Sequence, residues 1–191
     1  MFPVRMKDST PPSAPRSGDI LIANPHMHGN LFSETLVFLH THDEEGSLGF
    51  ILNRPSGQPL ASLLNDPHVP EPFHGIPLHY GGPVQDTHFL LALFLCDPET
   101  HRFTCELHPD KARVADMSTH PHAYLKAFLG HAGWTPGQLD NEIHQDDWSW
   151  TRPDEAMLTS RPEQGLWKLC AQVDNRWKKL RDYLPPHPEL N

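Results

Sequence analysis

Proline is the residue that most restricts what this chain can build. It occurs 21 times in 191 residues, and each occurrence removes a backbone donor and holds φ near about −65°, which excludes helix interiors and central strands. Six of them, Pro55, Pro59, Pro67, Pro70, Pro72 and Pro77, fall in one stretch. Residues 55 to 77 therefore read as a loop-rich cover with one short helical candidate at Leu60 to Asn65. Many short elements separated by loops are expected. With 37% apolar and 20% charged residues, the chain has the composition of a globular domain. Residues 17–184 are read as that single domain, with Pro/Ser-rich residues 1–16 a disordered tail and residues 185–191 a flexible C-terminal tail.

The longest uninterrupted apolar run, Phe89 to Cys96, has eight residues, against roughly 18 needed to span a bilayer as a helix. The first residues lack the apolar segment of a secretory signal, so a cytoplasmic location without membrane association is expected. Fifteen Lys and Arg against 24 Asp and Glu leave a net charge of −9, which opposes bulk binding to nucleic acid. Cys96, Cys105 and Cys170 are odd in number, have no CxxC spacing, and are read as buried free thiols.

Apolar, β-rich segments come first: Asp19 to Ala23, Thr35 to Thr41 and Leu48 to Asn53, the last two flanking the turn-forming Asp43-Glu44-Glu45-Gly46. A second group follows at Leu78 to Tyr80, Phe89 to Leu95 and Arg102 to Leu107, with Ala112 to Ala115 as a further candidate and Asp97-Pro98-Glu99-Thr100 as a hairpin turn. The period then changes. Ser118 or Thr119 is expected to cap a helix through Tyr124, Leu125 and Phe128 that stops at Gly130. Thr135-Pro136-Gly137-Gln138 has the spacing of a capping box and opens a second helix, with Leu139 and Ile143 on its inner face. Ser160-Arg161-Pro162-Glu163 starts a long C-terminal amphipathic helix of about five turns, on which Leu166, Leu169, Cys170, Val173, Trp177 and Leu180 fall at helical spacing. Strands first and helices last indicate the α+β class.

Several stretches recur in a recognisable order. They are Gly18 to Ala23 with Pro25 and Phe32; His42 with the run Gly46 to Pro55; Gly81-Gly82-Pro83-Val84; and Leu129 to Ile143, followed by Trp148 and Trp167. Together, over residues 18 to about 170, they resemble the YqgE/AlgH family of small bacterial proteins. The resemblance implies a barrel-like, partly split mixed β-sheet flanked by helices. It implies no particular reaction, and the family's frequent label is that of a transcriptional regulator. Where relatives often carry a histidine after the glycine turn, this chain reads Leu90-Leu91-Ala92-Leu93.

Histidine is abundant, with 15 residues and three His-x-His pairs at His26/His28, His40/His42 and His120/His122. On a regular strand His40 and His42 would share a face and could present two imidazoles to one zinc, but no fixed spacing supplies further ligands, and no metal is assigned. His42 alone also belongs to the family pattern, and it precedes an acidic turn. Asn53 and Arg54 end one strand and Gly81-Gly82 follow another. Glycines admit close backbone approach and an arginine fork clamps carboxylate or phosphate, so His42, Asn53, Arg54, Gly81 and Gly82 are the candidate ligand-binding residues. Turn geometry, with Arg54 in a structural salt bridge, is the plain alternative. Trp134, Gln138 and Glu142 form a secondary candidate, as a staple at a helix entry or a stacking surface beside a helix N-terminus.

No GxSxG or comparable signature marks a nucleophile, so no catalytic residue and no cofactor are assigned. Arg176-Trp177-Lys178-Lys179-Leu180-Arg181 is the one basic cluster, small for a nucleic-acid surface. The expected function is a non-catalytic binding or regulatory module for a small anionic ligand or a protein partner, with homo-oligomerisation open. A hydrolase-like or metal-assisted enzyme centred on His42, and the transcriptional regulator of the family label, are the alternatives.

Overall fold

The computed structural model describes residues 14–27, 29–64, 70–100, 102–153, 155–159 and 165–172. Among the described residues nine strands are present: β1 (Ile20–Ala23), β2 (Leu36–Asp43), β3 (Gly46–Ile51), β4 (Pro55–Pro59), β5 (Pro77–Tyr80), β6 (Val84–Cys96), β7 (Phe103–Leu107), β8 (Ala123–Trp134) and β9 (Trp148–Thr151). The helices are α1 (Glu71–His74), α2 (Lys111–Met117), α3 (Gln138–His144), α4 (Glu155–Thr159) and α5 (166–172), with a single 3-10 turn at Leu60–Ser62. The remainder of the expected C-terminal helix, its basic cluster, His28 and most of both tails lie outside the described residues.

The strands join in the order β4-β5-β8-β3-β2-β1-β9, with β6 also on β8 and β7 beyond it. Every pairing is antiparallel except β5 with β8. The fold is α+β with a curled, half-barrel sheet. Its curvature is visible in ring contacts: Phe38 on β2 meets Phe94 on β6 edge to face at 5.0 Å, although β3 and β8 separate those strands. Ile20, Ile22, Leu36, Phe38, Phe50, Phe94 and Phe128 line this concave face, which Met157 and Leu158 of α4 and Trp167 and Cys170 of α5 close. The outer face carries two further clusters. Leu21, Val37, Leu39 and Ile51 pack under Leu139 of α3, and Leu78, Leu91 and Ala127 pack against Leu60 and Val114.

β8 is the axis of the fold, and it contradicts the helix expected from Ser118 to Gly130. Tyr124, Leu125 and Phe128 do satisfy a helical period, but Ala127 lies between Leu78 on β5 and Leu91 on β6. Pairing on both edges satisfies the backbone of two other strands as well, and that long-range gain outweighs a local period. Ser118 instead closes α2, whose N-cap is Asp110 accepting from Arg113 N at 2.8 Å. Ala112 to Ala115, expected as a strand, are therefore helical. The Asp97 turn forms as expected, its carboxylate accepting from Glu99 N and Thr100 N.

Gly130 sits within β8 at φ 64°, and it reverses the pleat. Ala127 and Leu129 face the outer cluster before it, Phe128 faces inward, yet Ala132 and Trp134 face outward after it. A single inserted residue in a left-handed conformation produces this exchange of faces. Here the chain also crosses itself. β5 lies on one edge of β8 and β6 on the other, so residues 81–83 pass over β8 at Gly130 and His131. A Cβ on Gly81 would stand 2.2 Å from the Gly130 carbonyl oxygen, and one on Gly82 would stand 2.3 Å from the His131 carbonyl carbon. Two glycines on one strand and one on the other are what let backbone lie directly on backbone.

Candidate functional site

The structure distributes the candidate residues between two places. At the tip of the β2–β3 hairpin His42 faces Ser47 across the strand pair, and the His42 Nδ1 and Ser47 Oγ are 2.8 Å apart. The carboxylate of Asp140, on α3, lies 3.7 Å from His42 Nε2. The Ser47 hydroxyl can donate to or accept from Nδ1, and the Asp140 carboxylate stands on the far side of the ring. A register shift between Leu39 and Thr41 puts His40 beside Phe50, at 6.0 Å between rings, away from His42. The bulge thus removes the shared face that a His40/His42 zinc pair requires. Among the described residues no group of three His, Cys, Asp or Glu side chains converges as a metal site.

The secondary candidates belong with His42, because they occupy the same helix and the strand beside it. Gln138 Oε1 accepts from Thr135 N at 3.1 Å, which is one half of the expected capping box. The helix itself starts two residues later than that box suggests, with Gly137 at φ 73° as N-cap in place of Thr135. Glu142 then draws the segment together. Its Oε2 accepts from the indole N–H of Trp134 and of Trp148, each at 2.8 Å, and its Oε1 accepts from Gln138 Nε2 at 2.9 Å. Phe32 stacks on Trp134 at 6.1 Å and meets Trp148 edge-on at 5.6 Å. Trp134 is buried. The arrangement ties α3 to β8 and β9, as a staple does, and both oxygens of the carboxylate are engaged.

The second place lies at the opposite end of the β2–β3 hairpin, about 20 Å from His42 at the strand rise of six residues. Asn53 Oδ1 accepts from Leu36 N at 2.9 Å and its amide donates to the Glu34 carbonyl at 2.8 Å, so this side chain fastens the entry of β2. Arg54 Nη2 donates to the Ser33 carbonyl at 3.1 Å, and among the described residues it forms no salt bridge. The two loops are neighbours, since Tyr80 N donates to the Arg54 carbonyl at 2.8 Å and Ile51 N to the Gly81 carbonyl at 2.9 Å. Gly81 N is itself bonded to Leu129 O at 2.8 Å. Arg54 and Gly81 are brought together, but the glycines serve the chain crossing, and His42 is not part of the group.

Two features escaped the sequence reading. Ser47 and Asp140 were not paired with His42, although a turn at residues 43–46 already places residues 42 and 47 opposite one another. His79 and Lys126, both buried, carry no local motif, and only the pairing of β5 with β8 puts them on one face.

The comparisons with known proteins agree with this architecture. A family model described as AlgH-like matches residues 20–174. The chain belongs to the AlgH-like family. A UPF0301 protein of Bacteroides fragilis is 33% identical over 187 residues, covering 93% of this chain and 92% of the relative. A UPF0301 protein of Parabacteroides distasonis is 30% identical, with the same coverage of 93% and 92%. Among solved structures, the AlgH protein from Pseudomonas aeruginosa superposes with a TM-score of 0.60 at 27% identity, covering 95% of this chain and 100% of that one. A Corynebacterium diphtheriae protein with a TM-score of 0.61 and 22% identity, covering 77% of this chain and 81% of its own, shares the fold. Among the described residues no helix is long and apolar enough to cross a membrane.

Proposed function

We propose that this chain is a cytoplasmic, non-catalytic binding module whose recognition element is the junction of Arg54 with Tyr80 and Gly81, and whose ligand carries a carboxylate or phosphate, free or on a protein partner. The observation that carries this reading is the state of Arg54. Its guanidinium is oriented by the Ser33 carbonyl, and among the described residues no carboxylate pairs with it. Tyr80, joined to Arg54 through the backbone, is 54% exposed. An oriented fork is a recognition element for a planar anion, because its geometry is fixed before binding. A thermal-shift screen of the purified chain against dicarboxylates, phosphometabolites and nucleotides tests it. A ligand at about 100 times its Kd adds roughly 2.7 kcal/mol and raises Tm by about 5 to 11 °C for a chain of this size. The shift is expected to fall by roughly half or more in Arg54→Gln; a flat panel, or a shift indifferent to that variant, overturns the reading.

A hydrolase-like activity at His42 is the second reading, favoured by the Ser47–His42–Asp140 sequence of groups. Against it, 3.7 Å is beyond hydrogen-bond reach and Ser47 is buried, so the hydroxyl is poorly placed for attack. Covalent labelling by a fluorophosphonate that is lost in Ser47→Ala would establish it, and absence of labelling would remove it.

A further inference from the structure

Two basic side chains are buried together under β5, and nothing above uses them. Lys126 on β8 is 6% exposed and His79 on β5 only 1%. His79 pairs with Phe128, so Lys126, two residues earlier on β8, is its diagonal neighbour on the concave face, at roughly 7 Å. Phe128 packs against the His79 ring at 5.7 Å, and Ala92 on β6 lies opposite Lys126. Both ring nitrogens of His79 are enclosed and neither makes a hydrogen bond of ordinary geometry, although the Pro77 backbone lies near enough to act on the ring.

The electrostatics describe the same place. Burial pulls the Lys126 ammonium down to about 8. Burial first, and the Lys126 charge second, pull His79 down to about 4, against a small opposing influence from the Pro77 carbonyl. No carboxylate contributes to either shift. Lys126 therefore remains mostly protonated at neutral pH, a cation in an apolar interior beside a neutral, unpartnered imidazole. Buried charges are ordinarily paired, and buried polar atoms ordinarily bonded. An anion supplies both missing partners at once, because the ammonium gains a counter-charge and the ring N–H gains an acceptor.

We propose that Lys126 and His79 form an interior binding site for a small anion bearing a carboxylate or phosphate group, which the ammonium pairs with and the imidazole N–H donates to. The site does not rest on the reading of Arg54. It is tested on the full chain by NMR titration of the lysine ε-CH2 and histidine ring signals with inorganic phosphate, with acetate, and with chloride at matched ionic strength. Phosphate or acetate is expected to shift the Lys126 and His79 signals saturably. It should also raise the pH at which Lys126 loses its proton by one unit or more, a tenfold preference of the anion for the ammonium form. Which of the two anions saturates first assigns the group. Lys126→Met is expected to abolish the response in a folded protein, His79→Phe to weaken it at least tenfold, and Arg54→Gln to leave it intact. Shifts no larger than those from chloride, or a saturable response that persists in Lys126→Met, overturn the proposal.

Discussion

The α3 end of the molecule and the interior beneath β5 are both built from polar side chains next to aromatic rings, and they treat those side chains in opposite ways. Around α3, Glu142 answers two indoles and an amide, and Gln138 answers Thr135. Beneath β5, among the described residues, neither imidazole nitrogen makes a hydrogen bond of ordinary geometry and no carboxylate acts on the ammonium. A satisfied network fixes one packing arrangement and holds elements together. An unsatisfied pair costs stability as long as nothing binds to it. The segment densest in family motifs thus acts as the staple its spacing suggests, and the segment expected as a helix carries the unpaired groups.

Both regions hang from the crossing at Gly81, Gly82 and Gly130, so the largest expected effect is there. Gly82→Ala forces a Cβ into the His131 backbone and is expected to remove more than about 4 kcal/mol or prevent folding, measured by urea unfolding or, failing that, by soluble yield. Next is Glu142→Ala, which leaves two indole N–H groups and the Gln138 amide without their acceptor and is expected to cost about 2 to 4 kcal/mol. Glu142→Gln, which keeps one acceptor oxygen, should recover part of this. If Glu142→Ala costs under about 0.5 kcal/mol, the network is not scaffold and the comparison fails.

Lys126→Met should act in the opposite direction, stabilising the unliganded chain by about 1 to 3 kcal/mol, because a buried unpaired charge is exchanged for an apolar chain of similar length. The pH dependence sharpens this. Lys126 ionises at about 8 when folded against 10.5 for the ordinary side chain. Between those values the unfolded state binds more protons, so stability rises with pH, by on the order of 3 kcal/mol in total. His79 ionises at about 4 against 6.5, so stability is complete above about 6.5 and falls as the pH drops towards 4. Equilibrium unfolding against pH should show both limbs, the alkaline one absent in Lys126→Met and the acid one reduced in His79→Phe. The smallest effect is expected for Arg54→Gln. Losing one bond to the Ser33 carbonyl at a half-buried position should change stability by less than about 1 kcal/mol, while lowering the ligand-induced rise in Tm by roughly half or more.

Local chemistry was legible wherever a residue acts on its near neighbours. The strands around Ile20, Phe38 and Phe94, the Asp97 turn, the Thr135–Gln138 pair and the inward face of Leu139 all follow from alternation, turn residues and cap spacing. The candidate site was legible only in fragments. Asn53, Arg54 and Gly81 do come together, but His42 belongs to a hairpin tip and joins Asp140 and α3, because β2 and β3 are long enough to hold their ends apart. The sequence by itself determined the α+β class, the family and most element positions. Tertiary structure alone decided that Tyr124 to Phe128 extend as the central strand. A helix satisfies only its own backbone, whereas this strand satisfies β5 and β6 as well. It is that pairing, invisible to any local period, which buries Lys126.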